Sequence, residues 1–329
     1  MDHQRRGFDE NNPDSTITLS WEDLKSAWFL DPDSCRSVPL QSTNRAYLTT
    51  DMIRDLLYKT KNWLSDWIAT GSNVFIHAEI YKSSLPEAIC DAFTALSAYL
   101  SRTDKTTNMV LQIMEQKADK LIKTEATAEP NKSNLHNLSR VHALLVYCTI
   151  RLLDGDPRQR YKAEQHLQTL QEWTQEMIAD TSEAIVSGDI ILQNHLTDRG
   201  PRYLTFPLLL GQFSPEQLLW HAWILSESIR RTWCVAMGLQ SGYELLKTES
   251  GPCYGTLPIT MRKGLWTADN AFSWTKMCAE SNVGFLCRNE HEKILSEMSA
   301  DDIDPFALCM MDLDIGPDRM ARWKSGHEA

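Results

Sequence analysis

The chain has 329 residues, of which 42% are hydrophobic and 23% are charged, with 14 glycines and 13 prolines. These proportions are typical of a globular protein, and the scarcity of helix breakers favours helices. The length predicts one large domain or two fused ones. The net charge of −11 argues against a body that binds nucleic-acid phosphates over its general surface.

Eight cysteines are scattered along the chain, and no two of them form a C-x-x-C pair. This usage is typical of a reducing compartment. The polar N-terminus lacks the apolar core of a secretory signal, and the most apolar runs are too short to cross a membrane. We therefore expect an intracellular, soluble protein without a membrane partner.

Residues 1–20 are polar, and we expect them to be disordered. From Thr50 the apolar residues recur with helical spacing and form the stripe Ile53, Leu56, Leu57, Leu64, Trp67 and Ile68, before Gly71 ends the helix. A second helix follows, and Ser84 and Glu87 have the spacing of a capping box at its start. A third helix precedes a polar loop at 124–134.

The second half of the sequence continues with helical patterns. One helix ends at Gly155, and Asp156 and Pro157 predict the start of the next. Ser214 and Gln217 predict a capping box for a long helix, which is followed by a loop at 248–258 and a shorter helix near 268–279. No alternating strand pattern occurs. The prediction is an all-α fold, a multi-helix bundle-like body without significant sheet, spanning 21–329 as one domain or as two packed halves that meet near 190–213.

Four pairs of side chains are candidates for metal binding or catalysis: Cys287 with His291, His136 with His142, His195 with Asp198, and Asp312 with Asp314. Two ligands do not complete a metal site, and none of the pairs has a third converging group in the sequence. The aspartate pair lacks the glycine and the distal glutamate of a calcium loop, so we interpret it as a solvated acidic segment. We predict no catalytic, cofactor-binding or metal-binding residues, and no cofactor.

The stretch "ILSESIRRTWCVAMGLQSGYELLK" at 224–247 places charges within an apolar helix. Glu227 can contact Arg230 one turn away and Arg231 at the next position. Such charges could act on a substrate, contact nucleic acid or hold the helix in place. Because they lie between Trp223 and Trp233, we predict a structural role, in which they attach the helix to its neighbours.

The same stretch resembles a helix in the C-terminal part of fungal zinc-cluster (six-cysteine) transcription factors. The matching residues are Glu227, Arg230, Arg231, Trp233, Tyr243 and Lys247. Further stretches follow in the family's order: "LKSAWFLDP", "WLSDWIATGSNVFIHAEIY", "LPEAICDAFTALSAYLSRT", "LSRVHALLVYCTIRLLDGD", "LWTADNAFSWTKMC" and "DDIDPFALCMMDLDIGPDRMARW". Each is weak alone, but the ordered set is fairly specific and extends over almost the whole chain.

The sequence departs from this family near its N-terminus. Family members that bind DNA carry a six-cysteine zinc cluster beside a basic linker. The first 49 residues here contain one cysteine, Cys35, and one basic dipeptide, Arg5-Arg6. The resemblance therefore implies the regulatory body without the zinc cluster, and direct DNA binding is not expected.

The function implied by the resemblance is that of a nuclear transcription-regulator-like protein controlling a fungal metabolic gene cluster, with the cytoplasm as a further location. Its expected partners are other transcription regulators or a homo- or heterodimer partner. Two alternatives stay open. The body could serve as an enzyme or small-molecule-binding protein, or the sequence could be a remnant or an incomplete version of a factor whose zinc cluster lies upstream.

Overall fold

A computed structural model describes residues 27–37, 49–128, 133–190, 213–249, 254–280, 285–286 and 291–326. Within these ranges the chain forms ten α-helices: α1 (Thr50–Thr70), α2 (Glu87–Leu100), α3 (Thr107–Ala126), α4 (Asn134–Asp154), α5 (Pro157–Ser187), α6 (Pro215–Thr248), α7 (Ala271–Glu280), α8 (His291–Glu297), α9 (Pro305–Ile315) and α10 (Pro317–Lys324). Short 3₁₀ turns lie at Trp28–Leu30, Pro32–Cys35 and Ala300–Asp302. Two antiparallel two-residue strands, β1 (Ile259–Thr260) and β2 (Phe285–Leu286), are paired. The all-α prediction is confirmed.

Helix α4 lies at the centre of the fold. Nearly all of its residues from Asn137 to Leu152 are buried, because α2, α3, α5 and α6 pack around it. A helix that is buried on every side must be covered completely by other elements. The apolar run "VHALLVYCTI" is therefore a buried core helix.

Helix α6 is the longest helix in the described part of the chain, and it packs against α1, α4, α5 and α7. Its start is fixed by the predicted capping box, in which the Ser214 hydroxyl accepts from the Gln217 backbone N–H and the Gln217 side chain accepts from the Ser214 N–H. At its other end, Gly242 lies so close to α1 that a Cβ there would be 3.2 Å from Ile53 Cγ2. One hydrophobic core runs from Phe29 to Trp323.

The sequence predicted several helix ends correctly. Gly71 ends α1 in a left-handed conformation, and Asp156 caps α5 ahead of Pro157. The predicted capping box at Ser84 and Glu87 is wrong, because α2 begins after Pro86 and has no side-chain cap. The physical reason is that Pro86 disfavours helical backbone angles in the preceding residue, so the helix cannot start earlier.

The proposed domain boundaries remain predictions. Residues 1–20 and 191–212, on which the predicted N-terminal disorder and the predicted junction between two halves fall, lie outside the described residues. In the described part of the chain, helices from both sides of 191–212 contribute to the same hydrophobic core, with α4 and α5 packing against α6.

The close packing of α1 on α6 can be tested with two glycines of one helix face. We expect Gly238→Ala to stabilise the protein by up to about 1 kcal/mol, because alanine is the better helix former and its Cβ would lie in ordinary contact, 3.4 Å from Leu56 Cδ2. Gly242→Leu should destabilise it by about 1–3 kcal/mol through overpacking against α1. Chemical denaturation followed by circular dichroism measures both, and a Gly242→Leu variant as stable as the parent would contradict this packing.

Candidate functional site

Three charged residues in the middle of α6 lie in the protein interior. Glu227 and Arg230 are 0% exposed and Arg231 is 1% exposed. Isolated charges cannot be buried without a large loss of hydration free energy, so each must find partners inside the protein. Together with Asp304, which is 4% exposed, they form a group that we call the charge cluster.

Glu227 is the centre of the charge cluster. Its two carboxylate oxygens accept hydrogen bonds from Arg230 Nη2 at 2.7 Å and from Arg231 Nε at 2.8 Å. The Thr260 backbone N–H donates a third, at 2.9 Å. Burial alone would raise the pKa of Glu227, but the two guanidinium groups outweigh it and hold this pKa below its usual range. Glu227 is therefore an ionised acceptor and not a proton donor.

Arg231 connects α6 to three other parts of the fold. Its Nη1 donates to the Val74 carbonyl at 3.1 Å, and its Nη2 lies 3.2 Å from Asp304 Oδ1. The same aspartate caps α9 by accepting from the Phe306 backbone N–H. The guanidinium also lies over the Trp266 ring, 4.2 Å from its centroid, which adds a cation–π attraction in a desolvated setting.

Arg230 extends the charge cluster to the N-terminal 3₁₀ turns. Its Nη1 lies 3.4 Å from the Phe29 carbonyl and 3.5 Å from Ser34 Oγ. With two acidic and two basic side chains, the charge cluster has no net charge. It connects α6 to the turns near Phe29, the segment after α1, β1 and the start of α9. Because its members are at most 4% exposed, the cluster can fix backbone positions but does not offer a surface to a substrate.

An aromatic group surrounds His77 beside the charge cluster. The rings of Trp220, Trp223 and Trp266 stand nearly perpendicular to the imidazole at centroid distances of 6.2, 6.3 and 4.9 Å. Burial, aided by the nearby positive charge of Arg231, lowers the pKa of His77 to about 4. The imidazole is therefore neutral at neutral pH.

A second buried histidine joins three parts of the fold. Tyr81 Oη lies 2.7 Å from His142 Nδ1, and His142 Nε2 lies 2.7 Å from Thr232 Oγ1 on α6. Burial lowers the pKa of His142 to about 3. This chain of hydrogen bonds connects α4 to α6 next to Arg231.

Sequence reasoning missed a further buried charge, Arg151 in α4, which is 0% exposed. Its Nε donates to Gln159 Oε1 at 2.9 Å, and the Gln159 amide donates to Glu115 at 2.8 Å. Its Nη1 lies 3.4 Å from His166 Nδ1, while His166 Nε2 lies 3.2 Å from Asp119. Burial lowers the pKa of Arg151. The signal in the sequence was a single arginine at the end of the apolar run "VHALLVYCTI".

The residues of α6 that carry the family resemblance are called the signature residues here, and α6 the signature helix. Three of the signature residues, Trp233, Tyr243 and Lys247, do not join the charge cluster. Trp233 is buried in the core, whereas Tyr243 Oη and Lys247 Nζ each donate at 2.7 Å to the Glu164 carboxylate on α5. Sixteen residues of helix separate Lys247 from Arg231, which corresponds to about 24 Å along the axis. The signature therefore describes two separate attachments of α6.

Of the four candidate pairs, only His136 with His142 and Asp312 with Asp314 lie within the described residues, and neither pair converges. His136 Nε2 contacts Glu125 at 3.1 Å, away from the partners of His142. Asp312 binds Lys324 at 2.9 Å, but Asp314 is buried, so the prediction of a solvated acidic segment is wrong for Asp314: α9 turns that position towards the interior. Cys287, His195 and Asp198 lie outside the described residues.

Two further observations concern metal binding and membrane insertion. Within the described ranges, no group of three or more His, Cys, Asp or Glu side chains could hold a metal ion. In the same part of the chain, no helix has the length and apolar character that crossing a membrane requires.

Comparison with known proteins gives a partial answer. The chain is 25% identical over 264 residues to the transcription factor gsfR2 of Penicillium aethiopicum. The alignment covers 77% of this chain and 57% of that protein, so the chain spans little more than half the length of its relative. No family model matches the chain. No solved structure is significantly similar to it. The chain is thus similar to a fungal transcription factor, while the absence of a zinc cluster remains a prediction.

The structural role of the charge cluster predicts a large stability loss on truncation. We expect Glu227→Ala to lower the free energy of unfolding by about 3–5 kcal/mol, because two guanidinium groups lose their buried counter-ion. The matched control is Glu164→Ala, which removes a partly exposed partner of Lys247 and should cost under about 1 kcal/mol. Denaturant unfolding of both variants measures the difference, and equal losses would contradict the buried role.

The two buried histidines predict acid sensitivity. In the unfolded chain they titrate near the ordinary value of 6.5, while the folded pKa is about 4 for His77 and about 3 for His142. Below pH 6.5 the unfolded state binds more protons, so stability is complete above that pH and falls as the pH is lowered. Each histidine should contribute up to about 1.4 kcal/mol per pH unit.

The variant that tests this acid sensitivity is His142→Gln. Between pH 6.5 and 5, its unfolding free energy should fall less steeply with decreasing pH than that of the parent. The two slopes should differ by the contribution of one histidine, up to about 1.4 kcal/mol per pH unit. Denaturant unfolding at several pH values gives both slopes. Identical slopes would show that His142 is not held neutral in the folded state.

Proposed function

We propose that this chain is the regulatory body of a transcription regulator and acts through contacts with other proteins. The observation that carries the proposal is the similarity to the transcription factor gsfR2 over 77% of the chain. The structure is consistent with this proposal, because Glu227, Arg230 and Arg231 are bound to partners inside the protein and stabilise the helical body. As only 57% of the relative is covered, the whole activity of that protein is not carried over to this chain.

The proposed partners are other transcription regulators or a second copy of the chain. DNA is disfavoured as a direct partner, because the chain carries a net charge of −11 and phosphate binding requires accessible lysine and arginine. Several surface cations of the described residues are already in ion pairs: Lys117 with Asp91, Lys120 with Glu87, and Arg319 with Glu292. Such a surface is better suited to protein partners than to a phosphate backbone.

The proposed location is the nucleus, and the proposed target is a fungal metabolic gene cluster. Both rest on the resemblance of the ordered motifs to zinc-cluster factors and on the similarity to a Penicillium transcription factor.

A one-hybrid assay tests the regulatory role. The full chain is fused to a bacterial DNA-binding domain and expressed in a fungal cell that carries a reporter gene with the matching operator. We expect reporter expression to differ from that with the DNA-binding domain alone, and the unfused chain to leave the reporter unchanged. A fusion that accumulates in the nucleus but changes expression in neither direction would refute the proposal.

The charge cluster supplies matched variants for this assay. Because Glu227 holds the body together, Glu227→Ala should lose output in proportion to its folded fraction, whereas Glu164→Ala should keep both stability and output. Thermal melting of the purified variants provides the folded fraction. If Glu227→Ala melts like the parent and yet loses all output, the charges are a contact surface for a partner, and the structural assignment fails.

A further inference from the structure

A groove of about 290 Å³ lies between α1, α9 and α10, away from the charge cluster. Small-molecule pockets start at about this volume, so its size suits a compact ligand of one or two rings. The α1 wall presents Met52, Leu56 and Lys59, which are spaced one and two turns apart and therefore share a helix face.

The interior of the groove is apolar and rich in sulfur. Leu56, Cys309 and Met320 line it and are nearly inaccessible, at 8%, 8% and 1% exposure. Met52 adds a third sulfur-bearing side chain. Thioethers and thiols are polarizable and make favourable contacts with aromatic rings. The lining therefore favours an aromatic ligand over a hydrated polar one.

The charged side chains of the groove neutralise one another. Lys59 Nζ lies 2.7 Å from Asp55 Oδ2, and Lys324 Nζ lies 2.9 Å from Asp312 Oδ1. An anionic ligand would face two carboxylates, and a cationic ligand would face two ammonium groups. The ammonium groups can each donate a further hydrogen bond to a neutral oxygen. Charge complementarity therefore selects an uncharged ligand with a hydroxyl or carbonyl group.

We propose that this groove binds a small, uncharged aromatic molecule that carries a hydroxyl or carbonyl group. The ring lies against Met52 and Ala321 and the exposed edges of Leu56 and Cys309, and the oxygen accepts from Lys59 or Lys324. The site is separate from the charge cluster, and binding to the purified chain can be measured without any transcription readout. Its test is therefore independent of the regulatory role proposed above.

The probe is 2-naphthol, with 2-naphthoate as a probe of the same ring size that is anionic at neutral pH. Isothermal titration of the full chain should show saturable binding of 2-naphthol with a dissociation constant below about 1 mM. Binding of 2-naphthoate should be at least about tenfold weaker, because Asp55 and Asp312 already neutralise the two lysines, which therefore cannot offset the loss of carboxylate hydration on an apolar lining. Absence of saturable 2-naphthol binding, or equal affinity for the anion, would overturn the proposal.

Two thiols locate the bound probe. Cys309 lines the groove, whereas Cys90 is an exposed free thiol on α2. Burial raises the pKa of Cys309 to about 11, so N-ethylmaleimide modifies this thiol slowly. In a long time course followed by peptide mass spectrometry, 2-naphthol should slow the modification of Cys309 further and leave the rate at Cys90 unchanged. Protection of both thiols or of neither would show that the probe binds elsewhere.

A pair of exposed alanines supplies the variants. Ala321 lines the groove, while Ala179 is exposed on α5. Ala321→Phe should fill the groove and weaken 2-naphthol binding by at least about tenfold, and Ala179→Phe should leave it unchanged. Equal affinity of the two variants would refute the site. Circular dichroism verifies the fold of both, and the thiol measurement on the parent chain decides the question if Ala321→Phe does not fold.

Discussion

The buried carboxylate of Glu227 is the constraint on which the fold around α6 depends. Its three hydrogen bonds come from Arg230, Arg231 and the Thr260 backbone, and an ionised carboxylate without them would have a prohibitive desolvation cost. The arginines are equally buried and need acceptors of their own. They find these in carbonyl groups near Phe29 and Val74. One buried charge thus fixes the positions of segments that are far apart in sequence.

The residues that stabilise the fold are separate from the surfaces that a ligand or partner can reach. The charges buried in the middle of α6 have partners, and the neutral histidines beside them, His77 of the segment after α1 and His142 of α4, are also inaccessible, at 3% and 0% exposure. The accessible groove lies between α1, α9 and α10. Its lining is apolar, and its two lysines are paired with two aspartates. Leu56 lines that groove and also lies next to Gly238 of α6. Helix α1 therefore separates the groove from the long helix.

The similarity to a transcription factor and the geometry of helix α6 are compatible. The charge cluster itself has little capacity for acid–base chemistry, since Glu227 is ionised and inaccessible. Regulation through protein contacts requires only a stable body with an accessible surface. The structural role of Glu227, Arg230 and Arg231 is therefore compatible with a regulator without assigning any of them to a partner.

The sequence by itself determined the fold class and most helix starts, because apolar spacing, capping residues such as Ser214 and the restrictions of proline act locally. It also indicated that Glu227 could reach both arginines, since one helix turn sets those distances. Only the tertiary structure decided that Asp304, Thr260 and the Val74 carbonyl complete the charge cluster. The neutral state of His77 and His142 and the lining of the groove also depend on segments that meet only when the chain folds. Burial and long-range contacts set their hydrogen bonds and pKa values, and no local pattern contains that information.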